Sequence, residues 1–264
     1  GGDQNSGLVI AELLHHRDAV FGDVGLPAHT LAVFAGVGHV AMQDGRRDSI
    51  VKLAVIHEPA RQNGRRTYLP QRHCMSSFKE DPEDFWLRIA NQISKRYGER
   101  DDLKVYIHGD GASWIRGGLG WIANSRFVLD AYHVSQYMRP VSGGDESYMR
   151  MMRDCLREDN YPLLKTLVGA FIDQETCPKK TGEDFLRYVH NNWDGIQIWS
   201  NPKEEAGGSC AEGLVSHILS DRLSSRPKGW LDEGLETVSR LRVYRKNGGE
   251  IQTEHLKKDK KQSI

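Results

Sequence analysis

The sequence predicts a mixed α/β fold. Two long apolar runs are joined by a polar turn, two later short apolar runs each lead into an aspartate, and amphipathic helical stretches separate and follow them. At 264 residues the chain is long enough for one large domain or two small ones, with a sizeable buried core.

Residues 1–30 are Gly-rich and weakly periodic, a poorly defined N-terminal segment. From Leu31, LAVFAGVGHVAM, QDGRRDS and IVKLAVIHE read as strand, turn and strand, an antiparallel hairpin. A third strand is expected near Thr67–Leu69, after the basic turn RQNGRR. Asp81, Pro82 and Glu83 open a helix whose Phe85, Ile89 and Ile93 recur at helical spacing, and Gly98 stops it. Leu103–Ile107 is too short for a helix and reads as a buried strand ending in HGDGA; a helix through Trp114–Ile122 and the strand Arg126–Asp130 follow. From Asp145 to about Tyr188 the apolar spacing predicts helix throughout. A Trp-bearing loop over 193–209, a helix through CAEGLVSHILSDRL, the stop SSRPKGW, a short helix over Leu231–Arg242 and a basic tail at 251–264 complete the chain.

Composition narrows the function. Lys plus Arg and Asp plus Glu both number 36, so the net charge is zero. That excludes coating of nucleic acid by bulk charge and leaves room for a local basic groove. No apolar run approaches the length of a membrane span, and the N-terminus has neither a signal-peptide pattern nor a starting Met, so the chain reads as a fragment. Cys74, Cys155, Cys177 and Cys210 lack paired zinc spacing, which points to a reduced, cytoplasmic protein. Trp114, Trp121, Trp193 and Trp199 read as core residues rather than as base-stacking platforms.

Asp110 stands just past a buried strand, between Gly109 and Gly111. Ligands gather at the carboxyl ends of strands in open α/β sheets, although an Asp-Gly pair also serves as a plain turn. Asp130 ends the next strand in the same way. It either orients His133 three residues on or caps a helix. Glu212 falls in the first turn of a helix, where the helix dipole alone explains an acid. With Asp110 it would supply carboxylates for a pair of Mg²⁺ ions. Ser216 and His217 lie on the same helix. Arg222, Arg226 and Lys228, with Arg240, Arg242, Arg245 and Lys246 downstream, form either a phosphate-contacting edge or a solvated face.

Four strings, VYIHGDGASWIRGGL, RFVLDAYHVSQY, AEGLVSHILSDRLSSRPKGW and LRVYRKNGGE, resemble the ISLre family of bacterial insertion-sequence transposases, relatives of the Mutator-like transposases. The resemblance runs from about Leu31 to Glu250. It implies an RNase H-like mixed sheet with flanking helices, and an all-α insertion before the last catalytic acid. The divisions would be a first core part at 31–142, the helical insertion at 143–195, and a second core part at 196–250 carrying the catalytic helix. It implies a triad of two Asp and one Glu holding two Mg²⁺ or Mn²⁺ ions, with Asp110 as the second Asp and Glu212 as the Glu. Asp130 and His133 match a signature that shapes the site or positions DNA, and His217 stands in the same group. Arg222, Arg226, Lys228, Arg240 and Arg242 are the expected DNA contacts. The implied partners are element ends, target DNA and further copies of the chain, at the bacterial chromosome in the cytoplasm.

The chain departs from this family at its first strand. Members carry Ala-Asp-Glu-Asp-His-Val, whereas this chain reads Ala35-Gly36-Val37-Gly38-His39-Val40. The first acid, expected at Gly36 or Gly38, is missing, and Asp44 and Asp23 stand at the wrong places on the hairpin to replace it. An Asp-to-Gly change takes one base, so decay of an old element copy explains it; inactivation with retained binding is the alternative. Nothing like a helix-turn-helix precedes Leu31, so the expectation is a catalytic portion alone. Two functions from different classes follow: a DNA transposase catalytic domain cutting and joining strands with metal ions, or an inactive remnant that only binds nucleic acid or transposase subunits. A metal-dependent phosphohydrolase on the same kind of sheet is a third reading, disfavoured by SSRPKGW.

Overall fold

The computed structural model describes residues 29–45, 49–63, 66–201, 203–204, 206, 211–224 and 229–251, with the backbone alone at 66, 67, 199, 211 and 212. Its centre is a five-stranded mixed sheet. β1 (Thr30–Val40) and β2 (Ser49–His57) form the expected hairpin, and β5 (His73–Ser77) adds antiparallel to β2. β6 (Lys104–Gly109) lies parallel to β1, and β7 (Ser125–Leu129) parallel to β6, giving the order β5-β2-β1-β6-β7. The third strand of this sheet is therefore β5, not the expected Thr67–Leu69 segment. That segment overlaps β4 (Arg66–Tyr68), which pairs with β3 (Arg61–Asn63) in a separate small hairpin. The reason lies in burial: Cys74, Met75, Ser76 and Ser77 go into the core, whereas β3 is exposed.

Alternation along the strands buries both faces of the sheet. Leu31, Val33, Ala35, Ala54, Ile56, Val105 and Ile107 meet Phe85, Trp86 and Ile89 of α1 (Pro82–Tyr97) on one face. On the other, Phe34, Val40, Val51, Leu53 and Val55 meet Ile218, Leu219, Leu223, Leu235 and Val243. The last two belong to the final helix, α10 (Asp232–Lys246), which runs one turn past the expected Arg242. Asn247, at its end, accepts from the Cys74 backbone N–H (2.7 Å) and donates to its carbonyl (2.9 Å). A side-chain amide thus occupies the edge of β5 as another strand would.

Between β6 and β7 the expected helix over Trp114–Ile122 is two short pieces, α2 (Ser113–Arg116) and a 3₁₀ turn (Gly117–Gly120), because three glycines in four residues cannot sustain an α-helix. After β7 comes α3 (Ala131–Val141). The long helical stretch is three helices, α4 (Glu146–Arg157), α5 (Tyr161–Asp173) and α6 (Lys179–Asn191). Its breaks fall where Asp159 (φ 53°) and Glu175 (φ 56°) turn left-handed and where Pro162 and Pro178 restart the chain. The expected loop at 193–209 begins as a helix, α7 (Trp193–Ser200). Gly195 lets α7 lie directly on β7, since a Cβ there would meet the Leu129 amide and the Phe127 ring at 2.7 Å. Among the expected core tryptophans, Trp114 and Trp193 pack against the core, but Trp121 is 40% exposed. Cys74, Cys155 and Cys177 are buried free thiols; Cys210 lies outside the described residues.

Candidate functional site

Parallel pairing brings the functional candidates to one edge of the sheet. Phe34 of β1 pairs with His108 of β6, so two residues further along each strand Gly36 comes level with Asp110. Gly109 pairs with Leu129, and the Asp130 N–H donates to the Gly109 carbonyl (2.8 Å), which sets Asp130 beside them. Ala35 to His39, Gly109, Asp110 and His133 line a cavity of about 450 Å³. Val215, Ser220 and Ser224 form its other wall.

The Asp110 loop is held from several sides. One carboxylate oxygen accepts from the Ala112 N–H (2.9 Å), and the Tyr188 hydroxyl donates to the Asp110 carbonyl (2.9 Å). Burial, with Asp110 close by, raises the Tyr188 phenol and keeps it a donor. Gly111 takes φ 92° and its Cα faces the Asn192 side-chain amide, so neither the backbone nor the space admits a side chain. Asp130 satisfies both readings of its position. Buried at 1% exposure, it caps α3 by accepting from the Tyr132 N–H (3.0 Å) and also holds Nδ1 of His133 (2.9 Å).

The opposite wall is a short helix, α8 (Ala211–Val215), continued by a π-helical turn (Ser216–Ser220) and α9 (Asp221–Leu223). The π turn closes i→i+5 hydrogen bonds and so winds wider than an α-helix, and Val215 and Ser220, at its two ends, both line the cavity. Glu212 lies one turn before Val215 on the same backbone. Arg242 donates to the carbonyls of Ile218 and His217 (the latter at 3.0 Å), both within the π turn. Trp230 ties the helix to the end of β1: its ring nitrogen donates to the Leu223 carbonyl (3.0 Å) and its backbone pairs with Ala41 and Gln43. Trp230 thus fastens the end of this helix to the end of β1.

The expected basic edge is only partly assembled. Arg222 is exposed, while Arg226 and Lys228 lie outside the described residues. Arg240, 45% exposed, pairs with Glu236 (2.8 Å), and Arg242 donates to the His217 carbonyl (3.0 Å). His217 is exposed, with Asp221 3.6 Å away, and faces a second cavity rather than the first. That second cavity, about 750 Å³, is lined by Tyr68, Arg72, His217, Lys246 and Asn247 among others, with no acid among the described residues of its walls. Asp44 sits exposed in the β1–β2 turn, away from the cavity, and Asp23 lies outside the described residues. Tyr132, Tyr137, Tyr188 and Asn192 take part in the site although nothing in the sequence reading singles them out; a tyrosine on the polar side of α3 was the available signal.

A two-ion centre needs several converging carboxylates. Among the described residues Asp110 is the one acid lining the cavity, and no group of three His, Cys, Asp or Glu side chains is placed to hold a metal ion. Where the resemblance puts the first acid, the cavity floor is glycine. The described residues do not fit the two-ion site.

The family model for the uncharacterised protein family UPF0236 matches residues 28–261. The chain belongs to the UPF0236 family. Two UPF0236 proteins of Caldanaerobacter subterraneus subsp. tengcongensis are each 38% identical to it over 223 residues, 84% of this chain. The UPF0236 protein in the vanSb 3′ region of Streptococcus gallolyticus is 23% identical over 210 residues, 75% of this chain. The chain spans just under half the length of these relatives, 47%, 45% and 45%. A solved Drosophila P element transposase strand transfer complex overlays 90% of the chain and 69% of its own, at 11% identity and a TM-score of 0.30, too low to identify a fold. No described helix is long and apolar enough to cross a membrane.

Proposed function

We propose that this UPF0236 chain is the RNase H-like catalytic domain of an insertion-sequence transposase, and that in this copy the metal centre is incomplete, leaving a domain that engages DNA without cutting it. The observation that carries the reading is the convergence of Gly36, Gly38 and Asp110 on one cavity, walled by the helix that bears Glu212. Gly36 and Asp110, 74 residues apart, stand level on neighbouring parallel strands, at the carboxyl ends where ligands gather in open α/β sheets. The sheet supports it: the hairpin, an antiparallel third strand and two parallel strands give the strand order expected of an RNase H-like core. The helices α4 to α6 lie ahead of Glu212 in the chain, where the resemblance leads one to expect an all-α insertion. One Caldanaerobacter relative carries a name that joins eleven loci, and repetition within one genome is what a self-copying element leaves behind.

In this chain the residues at hand hold and orient rather than ionise a nucleophile. Asp110 is fixed by Ala112 and Tyr188, and His133 by Asp130. Titration calorimetry with Mn²⁺ tests the reading. The chain as it stands is expected to give no binding heat, and Gly36→Asp/Gly38→Asp to gain it. Tight binding by the unaltered chain would mean that another carboxylate has taken over and that the domain is an active enzyme. No binding in either protein would place the lost acids elsewhere and leave a DNA-binding remnant in front. A labelled branched DNA, bound with strong salt dependence and left uncut in Mg²⁺, is the companion result.

A further inference from the structure

Beside the cavity stands a group of aromatic rings that the metal chemistry does not use. Tyr188, whose hydroxyl holds the Asp110 carbonyl at 2.9 Å, has its ring stacked on Tyr137 at a centroid distance of 4.3 Å and an interplanar angle of 22°. Tyr137 nevertheless remains 46% exposed, so the face turned away from Tyr188 is open to solvent. Four residues earlier on the same helix, His133 lines the cavity, and Tyr132 meets its ring edge-on at 5.7 Å while also remaining 46% exposed. Single exposed aromatic residues are ordinary on a protein surface. Here Tyr132 touches the cavity-lining His133, and Tyr137 reaches the cavity-lining Asp110 through Tyr188, so the two half-exposed tyrosines form a rim. Tyr137 is also pre-ordered, because its stack on Tyr188 fixes the plane that it presents.

We propose that this rim is a binding site for an unpaired nucleobase, which stacks on the open face of Tyr137, while the adjoining phosphate lies toward His133. The proposal rests on the nucleic-acid reading above and deepens it: the preferred ligand is a strand with at least one base out of its duplex. Base–aromatic stacking is tolerant of sequence, because each base has a π face, whereas bases inside a duplex have both faces covered by their neighbours. A planar ring open on one side therefore selects an extruded or single-stranded base over a paired one.

The test uses the full chain and a short fluorescein-labelled single strand, with affinity read by anisotropy. A second strand carries 2-aminopurine, whose emission falls when it stacks on tyrosine. Tyr137→Phe is expected to bind as the native chain does. Tyr137→Ala is expected to weaken binding by about 5- to 150-fold, the loss that follows removal of one base–aromatic stack, and to relieve the quenching of 2-aminopurine. Thermal unfolding of both variants separates this from a loss of fold: with Tyr137→Ala folded, unchanged affinity and unchanged quenching overturn the proposal and leave the DNA reading standing. Equal loss in Tyr137→Phe also overturns it, because the hydroxyl and not the ring would then be the contact. If Tyr137→Ala alters the sedimentation coefficient without altering strand affinity, the rim is a protein contact. If the native chain binds no nucleic acid, the rim proposal and the functional reading fail together.

Discussion

At the scale of single residues the site is defined by what two glycines leave empty. A Cβ built at Gly36 would lie 3.0 Å from Val215 Cγ2, and one at Gly38 would lie 3.3 Å from Leu219 Cδ1. The helix has closed to within a few tenths of an ångström of the space that an aspartate needs. Overpacking costs roughly 1–3 kcal/mol, and replacing a strand glycine returns roughly 0.5–1 kcal/mol. Gly36→Asp is therefore expected to destabilise the chain by about 1 kcal/mol in urea unfolding, and Val215→Ala in the same chain to recover most of that. Unchanged stability in Gly36→Asp would show that the helix wall yields freely. Gly111 is the opposite case. With φ 92° and Asn192 against its Cα, Gly111→Ala is expected to lose about 1–3 kcal/mol or more, read by the same measurement, and to displace Asp110. The sequence shows the departure at Gly36 and Gly38 and the aspartate between two glycines. It does not show Tyr188 or Asn192, because their part in the site comes from a helix that returns 78 and 81 residues later in the chain to meet Asp110 and Gly111.

At the scale of elements, what was legible follows from how local each signal is. The β1–β2 hairpin and α1 were readable because alternation, turn residues and the Asp-Pro-Glu start all lie within a few positions of one another. The third strand was not, since β5 is five residues long and is chosen by burial against β2 and by Asn247, 173 positions away. The helical stretch was legible as helix, but Pro162 and Pro178 mark breaks that a count of apolar spacing passes over. Least legible was the π turn, which depends on a distant arginine. Arg242 meets two carbonyls of the turn through one part-buried and one exposed bond, and a hydrogen bond of this kind contributes about 0.5–1.5 kcal/mol. Arg242→Ala is therefore expected to lower stability by that amount. It should also speed amide exchange across Ser216–Ser220 more than in the strands, seen by hydrogen exchange and mass spectrometry. Uniform acceleration over the whole chain would instead mark Arg242 as a global support, with no special tie to the cavity wall.

At the scale of the whole molecule, stability is linked to pH through histidines that fold in their neutral form. His57 and His108 sit on either side of Phe34, each ring centroid 4.8 Å from it, on the face of the sheet that leads to Asp110. Burial pushes His108 down to about 4, helped by His57 and opposed by Asp130; burial also lowers His57, against its bond to the Glu58 carbonyl. His73 is held at about 4 by burial and by the nearby Arg96 and Arg88. The unfolded chain takes up these protons first, near the ordinary histidine value of about 6.5. Between about pH 6.5 and 4 it therefore binds more protons than the folded chain, and stability rises with pH across that window. Each histidine contributes a slope of up to about 1.4 kcal/mol per pH unit. Urea midpoints should accordingly fall as the solution is taken from neutrality to about pH 5, before most carboxylates titrate. His108→Leu removes one of the three protons and leaves an apolar side chain in an apolar layer, so its midpoint should fall less steeply over the same range. Parallel pH profiles for the two proteins would mean that His108 takes up its proton equally in both states, and the ring would then have to reach a partner within the fold.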